Sequence, residues 1–115
     1  MEFIIDNREK DIKEKLNGKE YLKFENLEVG DINIKYNGEI KIVIERKNIK
    51  DFSNSIKDGR YAEQKIRLKS LKLEPSNIYF LIEGKINKNG IMNITTLIFT
   101  LGIFTINKIY NNGNQ

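Results

Sequence analysis

Two stretches of alternating apolar and polar residues, joined by an Asn37-Gly38 turn signal, constrain the fold of this chain most strongly. The apolar positions on the two sides of the turn are Ile32, Ile34, Tyr36, Ile40, Ile42 and Ile44. This pattern predicts a β-hairpin with one apolar face. Pairing the apolar residues requires a three-residue loop, 37–39, with Tyr36 opposite Ile40. In that register Asp31 lies directly opposite Glu45, and a slip by one residue would mix the two faces.

The remaining elements predict an α/β fold, a mixed sheet flanked by helices. We expect further strands at 3–5, 21–27, 78–82 and 104–110, and helices at 10–16, 49–56 and 60–73, with Pro75 stopping the last helix. The strand at 78–82 is a continuous apolar run, which is typical of a strand covered on both faces.

Two further predictions concern which face of the 60–73 helix lies inward and whether residues 91–101 form a helix or a strand. The inner side of the 60–73 helix is expected to carry Ala62, Ile66 and Leu73, with Leu68 and Leu71 widening it. Residues 91–101 are rich in Thr and Ile, and propensity alone would allow a strand. Alternation with the preceding strand favours a helix there. Residues 1–110 then form one domain, and 111–115 are a polar tail.

The residue types that are missing exclude several kinds of chemistry. The chain has no Cys and no His, which excludes disulfides, the usual zinc sites, Cys–His nucleophiles and Ser–His–Asp triads. No signal peptide is visible in residues 1–11. The longest apolar stretch, 91–106, falls short of the roughly 20 residues of a membrane span. We therefore expect an intracellular protein without a membrane partner.

Three charged residues are expected to converge on one face of the hairpin: Asp31, Glu45 and Lys47. Two facing carboxylates bind a hard divalent cation, which takes oxygen ligands. A lysine two residues beyond Glu45 shares its face and can offset developing negative charge. This D…E-x-K arrangement is typical of PD-(D/E)xK nucleases. From spacing alone, a solvated strand face with a cross-strand salt bridge explains the same residues.

A wider series of motifs resembles the XPF/Hef-type structure-specific endonucleases, the ERCC4-domain branch of the PD-(D/E)xK superfamily. The motifs are Ile-Ile-Asp-Asn-Arg-Glu at 4–9, Val-Gly-Asp at 29–31, Ile-Glu-Arg-Lys at 44–47 with Asp51, Asp-Gly-Arg-Tyr at 58–61 with Gln64, and Phe-Leu-Ile-Glu-Gly at 80–84. The resemblance implies a restriction-endonuclease-like fold, a nuclease domain over 1–110, and hydrolysis of DNA.

The resemblance also implies roles for the acidic motif residues. Asp31 and Glu45 would bind Mg²⁺ or Mn²⁺, and Asp6 and Glu9 would complete the acidic cluster, directly or through water. Asp51 would orient its neighbours.

For the basic motif residues, Lys47 would be the catalytic lysine, and Arg8 and Arg46 would contact the scissile phosphate or organise the site. Arg60, Tyr61 and Gln64 would support the site or touch DNA. Plainer alternatives are a helix-start charge for Arg60 and core packing for Tyr61. A strand-end salt bridge is the favoured role of Glu83.

Basic residues are concentrated around these motifs. Ten Lys or Arg residues and four Asp or Glu residues lie between 41 and 72, a net +6 against +4 for the whole chain. Phosphate contacts of this kind give salt-sensitive, sequence-independent affinity for DNA. We expect DNA contacts from Lys50, Lys57, Arg60, Tyr61, Gln64 and Lys65. The alternative is that Lys65, Lys69 and Lys72 form one solvated helix face.

The resemblance implies a branched or flapped duplex DNA as substrate. Three alternatives remain open: a catalytically inactive DNA-binding partner subunit, a junction resolvase-like enzyme, and a plain interaction module. Segment 91–110 is strongly apolar, and the resemblance implies that nuclease domains pair through this closing region, so we expect a two-fold homodimer through it. The alternative is that it completes the core of the monomer.

Overall fold

A mixed sheet forms the centre of the part of the molecule that the computed structural model describes, residues 1–88 and 91–101. Its strands are β1 Glu2–Asp6, β2 Leu22–Glu25, β3 Ile32–Tyr36, β4 Glu39–Asn48, β5 Ile78–Lys88 and β6 Ile91–Thr100. Their order across the sheet is β2-β1-β3-β4-β5-β6. The pairs β1–β2 and β4–β5 are parallel, and the other neighbours are antiparallel. The predicted α/β class is therefore confirmed.

Helices connect the parallel strands. Helix α1 spans Lys10–Leu16, whereas α2, Ile49–Lys57, and α3, Arg60–Lys69, together form the crossover from β4 to β5. A parallel pair needs such a crossover because its strands run in the same direction. A 3₁₀ turn at Pro75–Asn77 leads into β5. Within the described residues, no helix has the length and hydropathy that crossing a membrane requires.

The core lies between one face of the sheet and the two crossover helices. Its buried members are Val43, Phe52, Leu68, Ile78, Phe80, Ile82, Phe99 and Leu101. Phe80 stacks on Phe99 at 5.1 Å between ring centroids, and Tyr61 packs edge-on against Phe52 and Phe80 at 5.1 and 5.4 Å. Burial of each large side chain contributes about 1.5–3 kcal/mol. This aromatic cluster fixes α2 and α3 over β4 and β5.

The hairpin register is confirmed away from the turn, but the turn itself differs from the prediction. Ile32 pairs with Ile44 and Ile34 with Ile42, whereas Tyr36 pairs with Glu39 and not with Ile40. Residues 37 and 38 both have positive φ angles, 53° and 78°. A two-residue turn of this kind matches the twist of the strands. A register shift between Ile34 and Lys35 absorbs the extra residue as a β-bulge.

The alternating isoleucines do not form the helix-covered core. Val43 and Asn33, on the opposite face of the hairpin, are 0% and 2% exposed. The isoleucine face borders an open cavity of about 300 Å³, which we name the apolar groove; it is lined by Ile34, Ile42, Ile44, Tyr79, Leu81 and Ile98. The crossover helices α2 and α3 cover the other face. In the strand at 78–82, Ile78, Phe80 and Ile82 are buried under these helices, whereas Tyr79 and Leu81 on the isoleucine face are half-buried.

Helix α3 is shorter than predicted and presents a different face. It ends at Lys69, where the Ser70 hydroxyl donates to the Arg67 carbonyl at 2.6 Å. Ala62 is exposed and Ile66 is 70% exposed, so the predicted inner side is wrong there. The helix instead turns Tyr61 and Leu68 inward, because the aromatic cluster offers the larger apolar contact. Leu71 and Leu73 pack against the core from beyond the helix end.

The helix predicted at 91–101 is also wrong. Ile91–Thr100 is the strand β6, paired antiparallel with β5 from Tyr79↔Thr100 to Lys88↔Ile91. Six of its ten residues are Ile or Thr, and β-branched side chains favour strands over helices. That local preference prevailed over the expected alternation of elements. The strand predicted at 104–110 and the tail at 111–115 lie outside the described residues.

Candidate active site

The carboxylates of Asp31 and Glu45 meet at the edge where β3 begins. Because Ile32 pairs with Ile44, the preceding Asp31 lies beside Glu45, as predicted. The Asp31 amide donates to the Ile44 carbonyl at 2.8 Å, and the Arg46 amide donates to Asp31 Oδ2 at 2.7 Å. The backbone of β4 therefore fixes both the position and the orientation of the Asp31 carboxylate.

Gly30 makes this approach of the two strands possible. Its φ angle is +75°, and a Cβ atom there would lie 2.6 Å from Val43 Cγ1. Any side chain would thus combine a strained backbone with a steric clash. The buried Asn33 closes the same loop when its amide nitrogen faces the carbonyls of Val29 and Ile32, at 3.2 and 3.1 Å. The Val-Gly-Asp motif is therefore a backbone requirement as well as a source of a carboxylate.

The environment of Glu45 favours its neutral form. Burial, followed by the nearby Asp31 carboxylate, raises the pKa of Glu45 to about 7, while Lys47 and Arg67 act in the opposite direction. Either a proton or a bound cation relieves the repulsion between two such carboxylates. The pair is therefore poised to exchange a proton for a metal ion near neutral pH.

A cavity of about 250 Å³, which we name the carboxylate pocket, opens onto this pair. It is lined by Arg8, Glu28, Val29, Gly30, Asp31, Glu45, Gln64, Arg67 and Leu68. Gln64 Oε1 is buried and has no hydrogen-bond partner among the described residues. A buried carbonyl oxygen without a donor is costly, and a cation or its water would satisfy it.

These oxygen atoms fit a divalent cation of the magnesium type. Asp31, Glu45 and Gln64 offer carboxylate and amide oxygens, the ligands that Mg²⁺ and Mn²⁺ accept. The described residues include no group of three or more Asp or Glu spaced to hold an ion by themselves. Mg²⁺ usually keeps several waters and binds through one or two carboxylates. The fit is therefore to a partly hydrated ion, with substrate and water completing its shell.

Asp6 is buried at the end of β1 and is used by the fold. It is 1% exposed, and its oxygens accept from Arg8 Nε at 2.8 Å and from the Leu27 amide at 3.0 Å. The hydrogen bond from Arg8 holds the pKa of Asp6 well below its usual range. Its own amide donates to the Asp31 carbonyl at 2.8 Å. Asp6 thus links β1 to the loop that carries Asp31.

Arg46 is held by three carboxylates from two parts of the chain, the start of α1 and the strand β5, an arrangement we name the Arg46 clamp. Its guanidinium donates to Glu83 Oε1 at 2.5 Å, to both Asp11 oxygens at 2.8 and 2.9 Å, and to Glu9 Oε1 at 3.5 Å. The hydrogen bond from Arg46 lowers the pKa of Asp11 to about 2. Glu83 forms the strand-end salt bridge favoured from the sequence. These contacts commit Arg46 to organising acidic residues.

A second cavity of about 590 Å³, which we name the lysine groove, adjoins the clamp. Its lining residues are Glu9, Arg46, Lys47, Asn48, Asp51, Arg60, Glu83 and Gly84. Lys47 is half-buried and follows Glu45 by two positions on β4, so the two share a face. Burial, followed by Asp31, raises the pKa of Glu9. Asn48 and Asp51 exchange hydrogen bonds of 2.8 and 3.0 Å that cap α2 immediately after Lys47.

The residues expected to contact DNA are spread over α2 and α3. Arg60 pairs with Asp58 at 2.8 Å and lines the lysine groove. Tyr61 packs in the aromatic cluster, and Lys65 Nζ lies 4.8 Å from the centre of its ring. Lys50 and Lys57 are exposed near the two ends of α2. From this group, Arg60 lines the lysine groove and Gln64 lines the carboxylate pocket.

Two charged residues near the site were not singled out from the sequence. Asp11 binds Arg46, but its position on α1 gives no indication in the sequence of a contact with a residue of β4. Arg67 lines the carboxylate pocket. It follows Gln64 by three positions on one helix, which places both on adjacent turns of one side. That spacing was a usable signal for Arg67.

Comparisons with known proteins cover most of the described chain. A family model for the ERCC4 domain matches residues 5–100. The "Probable crossover junction endonuclease mus81" of Dictyostelium discoideum is 53% identical over 45 residues, 39% of this chain and 5% of that protein. The "Crossover junction endonuclease MUS81" of Oryza sativa subsp. japonica is 42% identical over 48 residues, 42% of this chain and 7% of that protein. The matches thus span a small fraction of either relative, and no solved structure matches significantly.

Proposed function

The chain belongs to the ERCC4 domain family, and from that membership we propose that it is a Mg²⁺- or Mn²⁺-dependent endonuclease that cuts branched or flapped duplex DNA. Both relatives are named crossover junction endonucleases, which supports a branched substrate. The observation that carries hydrolysis is the meeting of Asp31 and Glu45 in the carboxylate pocket. A plain interaction module would not need a glutamate whose pKa is raised by burial and then by a neighbouring carboxylate, as that of Glu45 is.

In this mechanism the residues of the chain bind and orient the reacting groups. Asp31 and Glu45 would hold the cation, and Gln64, whose Oε1 is buried without a hydrogen-bond partner among the described residues, lines the same pocket. The chemistry that such a cation would supply when bound is polarisation of the phosphodiester and activation of water. The Lys47 ammonium positions the attacking water and offsets negative charge in the transition state. Glu9, held by the Arg46 clamp, completes the acidic cluster through water.

Around this centre, DNA is bound by charge. Lys50, Lys57, Arg60 and Lys65 lie on the two crossover helices beside the site, and their phosphate contacts would give salt-dependent affinity. Asp51 fixes the start of α2 next to Lys47 and so acts by orienting. An inactive partner subunit would need only this charged surface. The carboxylate pocket beside it favours an active enzyme.

We also propose that the chain forms a homodimer through residues 91–110. The apolar groove is open among the described residues, and Ile98 at its rim is 54% exposed. An apolar surface of this kind marks an interface. A second copy of the chain would cover it by two-fold pairing.

A cleavage assay on labelled flap, fork and linear DNAs with Mg²⁺ or Mn²⁺ tests the activity. We expect cleavage of the branched substrates, and a loss of at least about 100-fold in rate for Asp31→Asn or Lys47→Ala. DNA affinity and circular dichroism should stay close to those of the unmodified protein. Lys41→Ala is the matched control, because Lys41 is exposed on the same strand away from the site. Near-normal cleavage by either pure site variant would refute the assignment.

A further inference from the structure

The four arginines of the chain differ in how they are engaged. Arg8, Arg46 and Arg60 each form an ion pair with at least one carboxylate. Among the residues whose side chains the structure describes, 1–84 and 98–101, Arg67 forms neither an ion pair nor a side-chain hydrogen bond. All Asp and Glu residues of the chain fall within these ranges. The guanidinium of Arg67 is therefore available for an anion from outside the chain.

Arg67 lies on the side of the carboxylate pocket that α3 forms. It lies in the last turn of α3, beside Leu68, which is 2% exposed and anchors that turn in the core. Asp31 and Glu45 form the strand side of the same pocket. The guanidinium thus shares a cavity of about 250 Å³ with two carboxylates without forming a bond to either. This leaves the carboxylate oxygens free for a cation and Arg67 free for the anion that approaches it.

We propose that Arg67 is a catalytic residue that binds the two non-bridging oxygens of the phosphodiester under attack. This inference rests on the proposed nuclease function and adds a residue to it. A guanidinium matches phosphate geometry with two parallel N–H donors. Arg8 lines the same pocket, but its guanidinium donates twice to the buried Asp6. Arg67 therefore receives the phosphate from α3, opposite the strands that carry Asp31 and Glu45.

Single-turnover cleavage at saturating DNA tests this role. Arg67→Ala should slow cleavage by about 100- to 1,000-fold, the cost of losing one donor to a developing charge. Lys69→Ala, which removes a positive charge from an exposed position on the same helix, should change the rate less than about threefold. Arg67→Lys should recover only part of the loss, because a lysine cannot bind in bidentate fashion. Thermal denaturation should be unchanged, because Arg67 is exposed.

A binding experiment separates contact with the phosphate from any structural role. Replacing the scissile phosphate by a neutral methylphosphonate should weaken binding of the unmodified protein by about tenfold in Ca²⁺. For Arg67→Ala the same replacement should cost less than about threefold. If both proteins lose affinity equally, or if Arg67→Ala cleaves like Lys69→Ala, the inference is wrong while the nuclease function stands. If the unmodified protein cleaves no branched DNA with either metal, the proposed function itself fails.

Discussion

Replacing Glu45 by glutamine should stabilise the protein in the absence of metal, although it removes a proposed metal ligand. The pKa of Glu45 rises from 4.5 to about 7 in the folded state, mainly through burial and then through Asp31. Since each pKa unit is worth about 1.36 kcal/mol, ionising Glu45 costs the folded state roughly 3 kcal/mol. Glutamine avoids that cost and still offers Asp31 an N–H donor. Allowing for solvent that reaches the carboxyl group, we expect a gain of about 2 kcal/mol.

The gain should depend on pH in a defined direction. Between pH 4.5 and 7 the folded protein binds more protons at Glu45 than the unfolded chain does. The stability of the unmodified protein therefore falls as pH rises through this window. Below pH 4.5 both states are protonated and the advantage of glutamine disappears. With an unfolding entropy of about 2.1 cal/mol/K per residue, 2 kcal/mol corresponds to roughly 8 °C in Tm.

Thermal denaturation in EDTA at about pH 4.5 and about pH 8 measures this effect. Glu45→Gln should melt roughly 8 °C above the unmodified protein at the higher pH, and within about 2 °C of it at the lower pH. Glu14→Gln, which removes one charge from an exposed position on α1, is the control and should not show the difference. Millimolar Mg²⁺ should raise the Tm of the unmodified protein and not that of the variant. A variant that is less stable at the higher pH, or equally shifted at both pH values, would refute the electrostatic reasoning.

Two further predictions concern binding and assembly. Replacing Lys50, Lys57 and Lys65 together by Ala should reduce the slope of log affinity against log salt by up to about 3. Each lysine that binds a phosphate accounts for roughly 1 of this change. An unchanged slope would show that the three lysines are ordinary surface charges. Ile98→Glu should convert the dimer into a folded monomer in sedimentation velocity, because Ile98 is 54% exposed. Ile66→Glu, at an exposed position on α3, should leave the dimer intact. An unmodified protein that is monomeric at high micromolar concentration would contradict the homodimer.

Local pattern was sufficient for most elements of the sheet and for the meeting of two carboxylates. The alternation around Asn37-Gly38 predicted the register of Ile34 with Ile42, and this register alone brings Asp31 to Glu45. The β-bulge beside the turn could not be predicted from the pattern. It arises because the turn favours two residues while the apolar pairing needs an odd number. Both preferences are satisfied in the structure by shifting one residue.

The errors occurred where tertiary contacts decide between local alternatives. The isoleucine pattern identified a face of the hairpin, but only the packing of α2 and α3 selects which face they cover. On α3, the aromatic contacts of Tyr61 outweighed the apolar Ile66 and rotated the helix. For residues 91–101, β-branched composition was the better guide than the order of elements.

The site residues found only in the structure depend on distant parts of the chain. Asp11 and Arg46 are 35 positions apart, and no spacing in the sequence relates a residue of α1 to one of β4. Arg67 differs, because its position relative to Gln64 on one helix was visible. The sequence alone does not show that this side of α3 borders the carboxylates of Asp31 and Glu45.

The Arg46 clamp has an evolutionary consequence, because its members are unequal. One guanidinium serves Glu9, Asp11 and Glu83, so the loss of any one acid leaves the arginine with two partners. Loss of Arg46 instead removes the ion-pair partner of all three carboxylates at once. The acidic residues can therefore be substituted one at a time, whereas Arg46 can be substituted only after several of the acidic residues have changed. Substitutions around the clamp should depend on the order in which they occur.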